Sequence, residues 1–370
     1  MNYIKGLDGV RSIAILFVIL FHFFYVLECG WMGVQIFFVL SGYLITSILI
    51  KAKSLDLGYY LKRFYWRRVL RIFPLYYVYV LGVLGIYLIA NYPSDFGSTS
   101  PYLFTYTYNF YPFAVGKFEP DTFFTHFWSL CIEEQFYLFW PFIVYLASPK
   151  TFRKIIIAVI ILSPVVRYYL GVVLVDAGTF EHHHIGEIIY RFTPGQLDSF
   201  AFGAAIPAFQ LQEKIKSPEK WFGLTFGLSI VVGILNLLSL QGQGMEFTFT
   251  SLGYPIGVIE NFQHIWSYTL IGLTSASLII WVTNEQKNKL IRPFMENKFM
   301  LMIGKISYGL YVYHWVILAG HKKYLHPVIQ NTFLSFIVYF VIVFVVSYIS
   351  YALFEMQFLK LKDKKFKLSH

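Results

Sequence analysis

The chain has 370 residues, of which 57% are hydrophobic and 21% aromatic, while only 14% carry a charge. Soluble domains contain about 25% charged residues because they must cover their surface, so this composition excludes an ordinary soluble domain. The formal net charge of +10 would suit nucleic-acid binding in a soluble protein, but the basic residues stand in short clusters between apolar segments. That arrangement indicates membrane topology and no nucleic-acid partner.

The first apolar segment is not followed by a small-residue cleavage pattern and leads directly into a second apolar segment. We therefore interpret it as a first membrane span and not as a signal peptide. The two cysteines, Cys29 and Cys131, have neither metal-ligand nor redox-motif spacing, so we expect both to be packing residues.

Apolar stretches near 20 residues, the length at which a helix crosses a bilayer, recur along the whole chain. They predict an all-α, polytopic integral membrane helix bundle of about ten spans. One stretch is short and one is polar at its start, so nine or eleven spans stay open. The predicted spans are 10–29, 31–50, 72–91, 130–147, 155–175, 196–211, 221–241, 264–284, 299–320 and 331–354.

Lysine and arginine outside the predicted spans fall mostly in alternate loops, and the 51–71 loop alone has seven. Because cytoplasmic loops carry the excess of basic residues, we expect both termini in the cytoplasm and the protein in the plasma (bacterial inner) membrane. The predicted organisation is a transmembrane domain over residues 1–355 and a basic cytoplasmic tail over residues 356–370.

Three segments outside the spans have a distinct composition. The 51–71 loop mixes aromatic and basic residues and is predicted to lie on the inner membrane surface, with Pro74 resetting the chain before the third span. Segment 92–129 has almost no charge, is too small for an enzyme domain, and is predicted to be a lid or substrate loop. The run "EHHHIG" at 181–186 is expected in an exposed loop, and we predict no metal site.

The stretch "RSIAILFVILFH" places Arg11 and His22 at the two ends of an apolar run. Eleven residues turn a helix by three turns plus about 20°, so both side chains share a face and lie about 16 Å apart along the axis. A snorkelling arginine and a packed histidine would be the simpler explanation. Ionisable groups at membrane depth are costly, however, and usually face a functional interior.

The stretch "HFWSLCIEEQFYLFWP" supplies a second set of ionisable residues. His126 and Glu133 are two helical turns apart and share a face. If His126 marks the outer boundary, Glu133 lies about 10 Å below it, which predicts a depth similar to that of His22. We therefore predict a catalytic pair in which the Glu133 carboxylate orients the His22 imidazole.

Other polar residues are assigned to the two ends of the bundle. At the outer end we predict substrate binding by His126, Trp128, Asp198 and His314. Alternatives are an aromatic belt for Trp128 and an ion pair of Asp198 with Arg191.

At the inner end, Arg68 and Arg71 share a face near Arg11, and three guanidinium groups would suit a phosphorylated ligand. Lipid headgroups are the competing ligand. Ser41 and Gly42 permit close helix packing or a cavity wall.

These segments together resemble the acyltransferase 3 family, membrane-bound O-acyltransferases that modify bacterial glycans and some related substrates. The resemblance implies a ten-helix bundle, an acyl-CoA donor, and a functional pair of Arg11 with His22. It also assigns importance to Arg68, Arg71, Ser41, Gly42 and Glu133. Six segments match in order over most of the chain: "LDGVRSIAILFVILFH", "GVQIFFVLSGYLIT", "RRVLRIFPLYY", "HFWSLCIEEQFYLFWP", "RFTPGQLDSFAFG" and "IGKISYGLYVYHW".

The residues and the resemblance together predict an O-acyltransferase without a tightly bound cofactor. Its co-substrate would be an acyl-CoA, expected to be acetyl-CoA, with phosphates on Arg11, Arg68 and Arg71. His22 would act as general base or transient acyl carrier toward a hydroxyl of a glycan or glycolipid. We expect no esterase-like domain after the bundle, and a partner that hands on the acyl group is expected to be a separate protein.

Two other classes stay open from the sequence. A lipid or glycolipid transporter or flippase would also need arginines inside the membrane, but it would consume no acyl-CoA. A non-catalytic membrane receptor or scaffold is the third class.

Overall fold

The structure is a computed structural model that describes residues 3–90, 96–118 and 123–364. Residues 92–95 and 119–122 of the predicted lid segment, and residues 365–370 of the predicted basic tail, lie outside the described residues.

All regular secondary structure in the described residues is helical, which confirms the predicted all-α class. Short 3₁₀ or π turns join several of the helices. The helices are α1 (Gly6–His22), α2 (Met32–Ala52), α3 (Leu57–Ala90), α4 (Phe96–Phe104), α5 (Tyr111–Val115), α6 (Phe127–Leu146), α7 (Pro149–Ala177), α8 (His182–Tyr190), α9 (Leu197–Ala208), α10 (Leu211–Lys214), α11 (Pro218–Gly242), α12 (Gln263–Thr283), α13 (Arg292–Met295), α14 (Lys298–Lys305), α15 (Ser307–Gly320), α16 (Thr332–Ser350) and α17 (Met356–Lys364).

Several of these helices indicate a membrane protein. Six helical stretches in the described part of the chain are long and apolar enough to cross a membrane: Glu28–Ala52, Leu57–Ile89, Pro149–Ala177, Pro218–Gly242, Glu260–Thr283 and Thr332–Leu361. A seventh span is added if α14 and α15, which are bent by 72° relative to each other, count as one.

The other three predicted spans also form helices, namely α1, α6 and α9. Helices α1 and α9 have 17 and 12 residues, fewer than the roughly 20 that cross a bilayer alone, and α6 carries Glu133 and Glu134. The count of about ten spans therefore stays a prediction.

Helices α2 and α9 cross with their backbones in close contact. A Cβ atom at Gly42 would lie 2.0 Å from the carbonyl oxygen of Phe200, and one at Gly203 would lie 1.9 Å from the carbonyl oxygen of Val39. Because any side chain would force the helices apart, glycine is required at both positions. This packing holds α2 in place and thereby positions Ser41, the residue before Gly42.

Helix α3 runs through Pro74 without a break, so the expected reset of the chain at this proline does not occur. Proline costs one backbone hydrogen bond and crowds the preceding turn. The adjacent Leu75 and Tyr76 are almost completely buried, and their packing holds the helix together. Arg68 and Arg71 therefore lie on the same helix as the predicted third span, one to two turns before Pro74.

The bend between α14 and α15 directs α15 toward α1. Helix α14 packs tightly on α1, since a Cβ atom at Gly304 would lie 2.1 Å from the carbonyl oxygen of Asp8. The Ser12 hydroxyl also donates a hydrogen bond to the carbonyl oxygen of Met300. With α14 anchored there, α15 buries Tyr311 and His314 inside the bundle.

The described part of the predicted lid segment contains two short helices, α4 and α5. Asn109 is fully buried and donates hydrogen bonds to the carbonyl oxygen of Arg191 (3.1 Å) and to the hydroxyl of Thr193 (2.9 Å). Gln135 of α6 donates to the carbonyl oxygen of Tyr106 at 2.8 Å. The segment is thus tied to α6 and to the chain after α8, and its role as a lid stays a prediction.

Candidate active site

A cavity of about 200 Å³ lies among α1, α2, α3, α6 and α15. Aliphatic and aromatic side chains form much of its wall. Its polar lining residues are Arg11, Ser41, Arg68, Arg71, Ser129, Glu133, Glu134, Tyr137, Ser307, Tyr308 and Tyr311. The cavity therefore unites Glu133 with all of the predicted donor-site residues except Gly42, whose backbone packs on α9.

The three arginines differ in how their charges are compensated. Arg11 forms an ion pair with the buried carboxylate of Asp8, three residues earlier on α1. Arg68 lies 5.9 Å from the ring centroid of Tyr137, and its Nε atom is buried without a hydrogen bond in the described chain. Arg71 has neither a hydrogen bond nor an ion pair among the described residues. The carboxyl groups of Glu133 and Glu134 also line the cavity, but Arg11 alone of the three arginines forms an ion pair among the described residues, which leaves Arg68 and Arg71 available to an anionic ligand.

Glu133 is held on the cavity wall by two hydroxyl groups. Ser41 of α2 donates a hydrogen bond to its Oε1 atom, and Tyr137, one turn later on α6, donates to the same oxygen at 2.9 Å. A carboxylate with two fixed donors keeps its orientation. Glu133 therefore faces the arginine cavity, on the same wall as Arg68 and Tyr137.

His22 ends α1 and lies in a different cluster, built mainly of histidines. Its Nδ1 atom is 3.1 Å from Nε2 of His314, and its ring packs edge-on against Trp315 with centroids 4.5 Å apart. The His126 ring lies 4.9 Å from the His314 ring, and its Nε2 atom donates to the carbonyl oxygen of Val312 at 3.1 Å. Two of the predicted substrate residues therefore adjoin His22.

The predicted pairing of His22 with Glu133 is not found, because the structure pairs His22 with His314. The reason is depth within the bundle. His126 directly precedes α6 and lies at the level of His22, so Glu133, seven residues further, is about 10 Å deeper along the helix. The residue that matches His22 in depth is His126, and Glu133 lines the cavity whereas His126 does not.

Tyr311 connects the cavity to the histidine cluster. It lines the cavity, and its hydroxyl hydrogen bonds with the Ser129 hydroxyl and donates to the carbonyl oxygen of His126 at 2.8 Å. Its own carbonyl oxygen accepts a hydrogen bond from Nδ1 of His314. His22 is not a lining residue of the cavity, and Tyr311 with Ser129 forms the wall on this side.

Asp198 is engaged in a buried ion pair and does not reach the cavity. Its two carboxylate oxygens accept hydrogen bonds from the two terminal nitrogens of Arg167 at 3.0 and 2.9 Å, and both side chains are fully buried. The alternative partner, Arg191, instead approaches Glu187 at 3.6 Å. The geometry gives Asp198 a structural role, in contrast to the predicted substrate role.

Trp128 is buried inside the bundle and lines neither the cavity nor the surface. Its ring lies 4.5 Å from the ring of Tyr190 and 6.3 Å from that of Phe38. Neither a substrate contact nor an interfacial belt accounts for this position. Trp128 fills the core between α2 and the end of α8.

The "EHHH" run begins α8 and is not a loop. Glu181, His183 and His184 each place one potential ligand atom within 4.8 Å of the others. His183 and Glu181 are largely exposed, and no other observation associates this group with the cavity.

Sequence reasoning missed several residues of the site. Asp8 carries a local signal, since it stands one helical turn before Arg11, and Tyr137 stands one turn after Glu133. Ser129 and Tyr311 carry no such signal, because their contact joins α6 to α15 across 182 residues. Arg167 lies inside the predicted span 155–175, and the sequence alone does not indicate its partner.

The chain is similar to proteins of one known family over nearly its whole length. The model of the acyltransferase 3 family, described as "Acyltransferase domain", matches residues 4–352. The chain is also 29% identical over 346 residues to O-acetyltransferase OatA of Staphylococcus aureus, in strains NCTC 8325 / PS 47, COL and MRSA252. That match covers 87% of this chain and 52% of each relative, so the chain spans about half the length of these relatives. No solved structure matches the chain.

Proposed function

The chain belongs to the acyltransferase 3 family, and from this premise we propose that it is a membrane O-acyltransferase that uses an acyl-CoA, with acetyl-CoA the expected donor. The proposed acceptor is a hydroxyl of a cell-surface or exported glycan or glycolipid. The observation that carries the proposal is the cavity with three arginines, of which Arg71 has no ionic partner in the described chain. The name of the S. aureus relatives supports the choice of the acetyl group.

The arginines of the cavity are the proposed site for the phosphates of the donor. A guanidinium group offers paired N–H donors that match phosphate oxygens, and it stays charged at all physiological pH values. Arg68 and Arg71 project from neighbouring turns of α3, and Arg11 approaches from α1. The carboxyl groups of Glu133 and Glu134 line the same cavity, so the phosphates of the donor would have to contact the arginines and not these groups.

The reactive end of the donor is proposed to lie toward His22. Both Arg11 and His22 lie within α1, so eleven residues of continuous helix separate them by about 16 Å along the axis. The extended pantetheine arm of CoA would bridge this separation. To reach His22, the thioester must pass the hydrogen-bonded hydroxyls of Ser129 and Tyr311.

Two routes fit the position of His22. As a general base, His22 takes the proton of the acceptor hydroxyl while the hydroxyl oxygen attacks the thioester carbonyl carbon. The C–S bond then breaks, and the proton passes from His22 to the departing thiolate. As an acyl carrier, His22 itself attacks the thioester carbonyl carbon, the C–S bond breaks and the CoA thiolate leaves. In the second step the acceptor hydroxyl oxygen attacks the acyl carbon, the bond between the acyl group and His22 breaks, and the hydroxyl proton ends on the CoA thiolate.

The membrane location completes the proposal. We place the arginine end at the cytoplasmic face of the plasma membrane, where acyl-CoA is available, and His22 nearer the opposite face, where a glycan acceptor would enter. Both termini would then be cytoplasmic, in keeping with the basic loops.

Thiol release from acetyl-CoA tests the proposal. The full chain, purified into lipid nanodiscs, is expected to release CoA over many turnovers only when a hydroxyl acceptor such as a glycan oligomer is present. His22→Ala is expected to abolish the transfer while the protein stays folded. His183→Ala is the matched control, because His183 is an exposed histidine outside the site. The activity of this variant should equal that of the wild type.

The outcomes separate the candidate classes. Retained transfer by His22→Ala would refute the role of His22. Movement of a fluorescent lipid or glycolipid across vesicles of the same protein, without thiol release, would identify a transporter or flippase instead.

A further inference from the structure

Among the side chains of the described residues, only another histidine forms a hydrogen bond with the His22 ring. Nδ1 of His22, at the end of α1, lies 3.1 Å from Nε2 of His314 in α15. The two ring centroids are 4.9 Å apart and the ring planes are tilted by 34°. Enzymes that use a histidine base usually orient it with a carboxylate, and here a second imidazole occupies that position.

The other nitrogen of His314 determines where the protons lie. Its Nδ1 atom is directed at the carbonyl oxygen of Tyr311, and a carbonyl oxygen can only accept, so Nδ1 of His314 carries the hydrogen. In the neutral ring, Nε2 of His314 is then an acceptor. Nδ1 of His22 must therefore donate the hydrogen bond between the rings. With its hydrogen on Nδ1, the neutral His22 ring carries its lone pair on Nε2.

The surroundings of His314 keep this arrangement rigid. The side chain is fully buried, and its backbone carbonyl oxygen accepts a hydrogen bond from the Tyr339 hydroxyl at 3.1 Å. Tyr311, which accepts from His314, is itself anchored through its hydroxyl to the carbonyl oxygen of His126. Trp315 packs edge-on against the His22 ring and limits its rotation. A rotation or flip of the fully buried His314 ring would break its hydrogen bond to the carbonyl oxygen of Tyr311.

We propose that His314 is the positioning residue of His22: it fixes the tautomer with hydrogen on Nδ1 and leaves Nε2 as the reactive atom. This assignment rests on the proposed acyl transfer and adds to it. It replaces the predicted carboxylate orienter, Glu133, by a neutral imidazole. When His22 gains a proton on Nε2, its Nδ1–H still donates to His314, so the positive charge is stabilised by a hydrogen bond and not by an ion pair.

Two conservative variants separate positioning from packing. The amide of glutamine reaches the position of Nε2 in histidine, so His314→Gln keeps an acceptor for Nδ1–H of His22. The shorter His314→Asn keeps a donor near Nδ1 for the Tyr311 carbonyl but cannot reach His22. We expect His314→Asn to lower kcat by roughly 100-fold or more, in line with the loss of base orientation in other enzymes, with KM for acetyl-CoA changed less than about threefold. His314→Gln should regain at least about tenfold of that loss.

A measurement that needs no turnover tests the tautomer directly. Solid-state ¹⁵N NMR of histidine-labelled protein in lipid, with the His22 signals identified by their loss in His22→Gln, is expected to show hydrogen on Nδ1 in the wild type. In His314→Asn the hydrogen should move to Nε2, or the signals should show a mixture of tautomers.

The proposal would be overturned if the two His314 variants lost kcat equally. It would also be overturned if His314→Asn changed only KM or only the amount of folded protein. An unchanged His22 tautomer in His314→Asn would overturn it as well. If the wild type transfers no acyl group, the proposed function fails, whereas the tautomer measurement still decides whether His314 positions His22.

Discussion

The Arg167–Asp198 pair allows a quantitative prediction, because the structure turns a candidate substrate residue into a structural one. Both side chains are fully buried, and neither lines the cavity. The carboxylate and guanidinium groups are joined by two hydrogen bonds of 2.9 and 3.0 Å. The Thr269 hydroxyl donates to Asp198 at 2.9 Å, and the guanidinium lies 5.0 Å from the Tyr268 ring centroid. Asp198→Asn removes the charge and leaves the shape almost unchanged.

The expected cost follows from the burial of the arginine. Breaking a buried ion pair by neutralising one partner costs about 3–5 kcal/mol, because the other charge remains buried without compensation. Asparagine keeps one acceptor oxygen for Arg167, so we expect the lower end, about 3 kcal/mol. At about 1.4 kcal/mol for each factor of ten, this lowers the ratio of folded to unfolded protein about 150-fold.

Unfolding of the full chain in mixed micelles with rising SDS, followed by tryptophan fluorescence, measures this change. The matched control is Glu296→Gln, which removes the same charge from an i, i+4 pair at the surface, in which Arg292 is exposed and Glu296 is partly buried. Exposed pairs contribute at most about 1 kcal/mol, so the control should unfold near the wild-type SDS fraction. The double variant Arg167→Met/Asp198→Leu should be more stable than Asp198→Asn, because it leaves no buried charge.

A single outcome would refute this reasoning. If Asp198→Asn unfolds at the same SDS fraction as Glu296→Gln and yet loses acyl transfer, Asp198 acts on the substrate. In that case the ion pair with Arg167 would serve the reaction and not the fold.

The remaining predictions concern the donor cavity and the helix crossing beside it. Arg71→Gln is expected to raise KM for acetyl-CoA by roughly 10-fold to 100-fold through the loss of a charge-assisted hydrogen bond, whereas Lys62→Gln, an exposed position on the same helix, should not. Equal KM values in steady-state thiol-release assays would contradict the phosphate role. Gly42→Ala is expected to cost about 1–3 kcal/mol because its Cβ would meet the Phe200 backbone, whereas Gly85→Ala, with no atom within 4 Å, should leave the apparent melting temperature unchanged or slightly higher. Equal melting temperatures would contradict the close crossing of α2 and α9.

Features that depend on one helix could be derived from the sequence alone. Arg11 and His22 lie on one continuous helix, as their spacing within an uninterrupted apolar run predicts. The i, i+3 spacing of Arg68 and Arg71 likewise predicts their common direction, and both do line the cavity together with Arg11. These inferences need only helical periodicity and the cost of placing charge in a membrane.

Partners on different helices were decided by the tertiary structure. His22 contacts His314 across 292 residues, and Asp198 pairs with Arg167 across 31 residues, while the nearer candidates Glu133 and Arg191 have other partners. Periodicity gives the face and the distance along one helix, but it does not give the depth of one helix relative to another. That offset is set by backbone contacts such as Gly42 on Phe200 and Gly304 on Asp8, and by the bend between α14 and α15. A shift of one or two turns between helices changes which ionisable groups meet, and for this reason only the folded bundle shows that a histidine, and not a glutamate, adjoins His22.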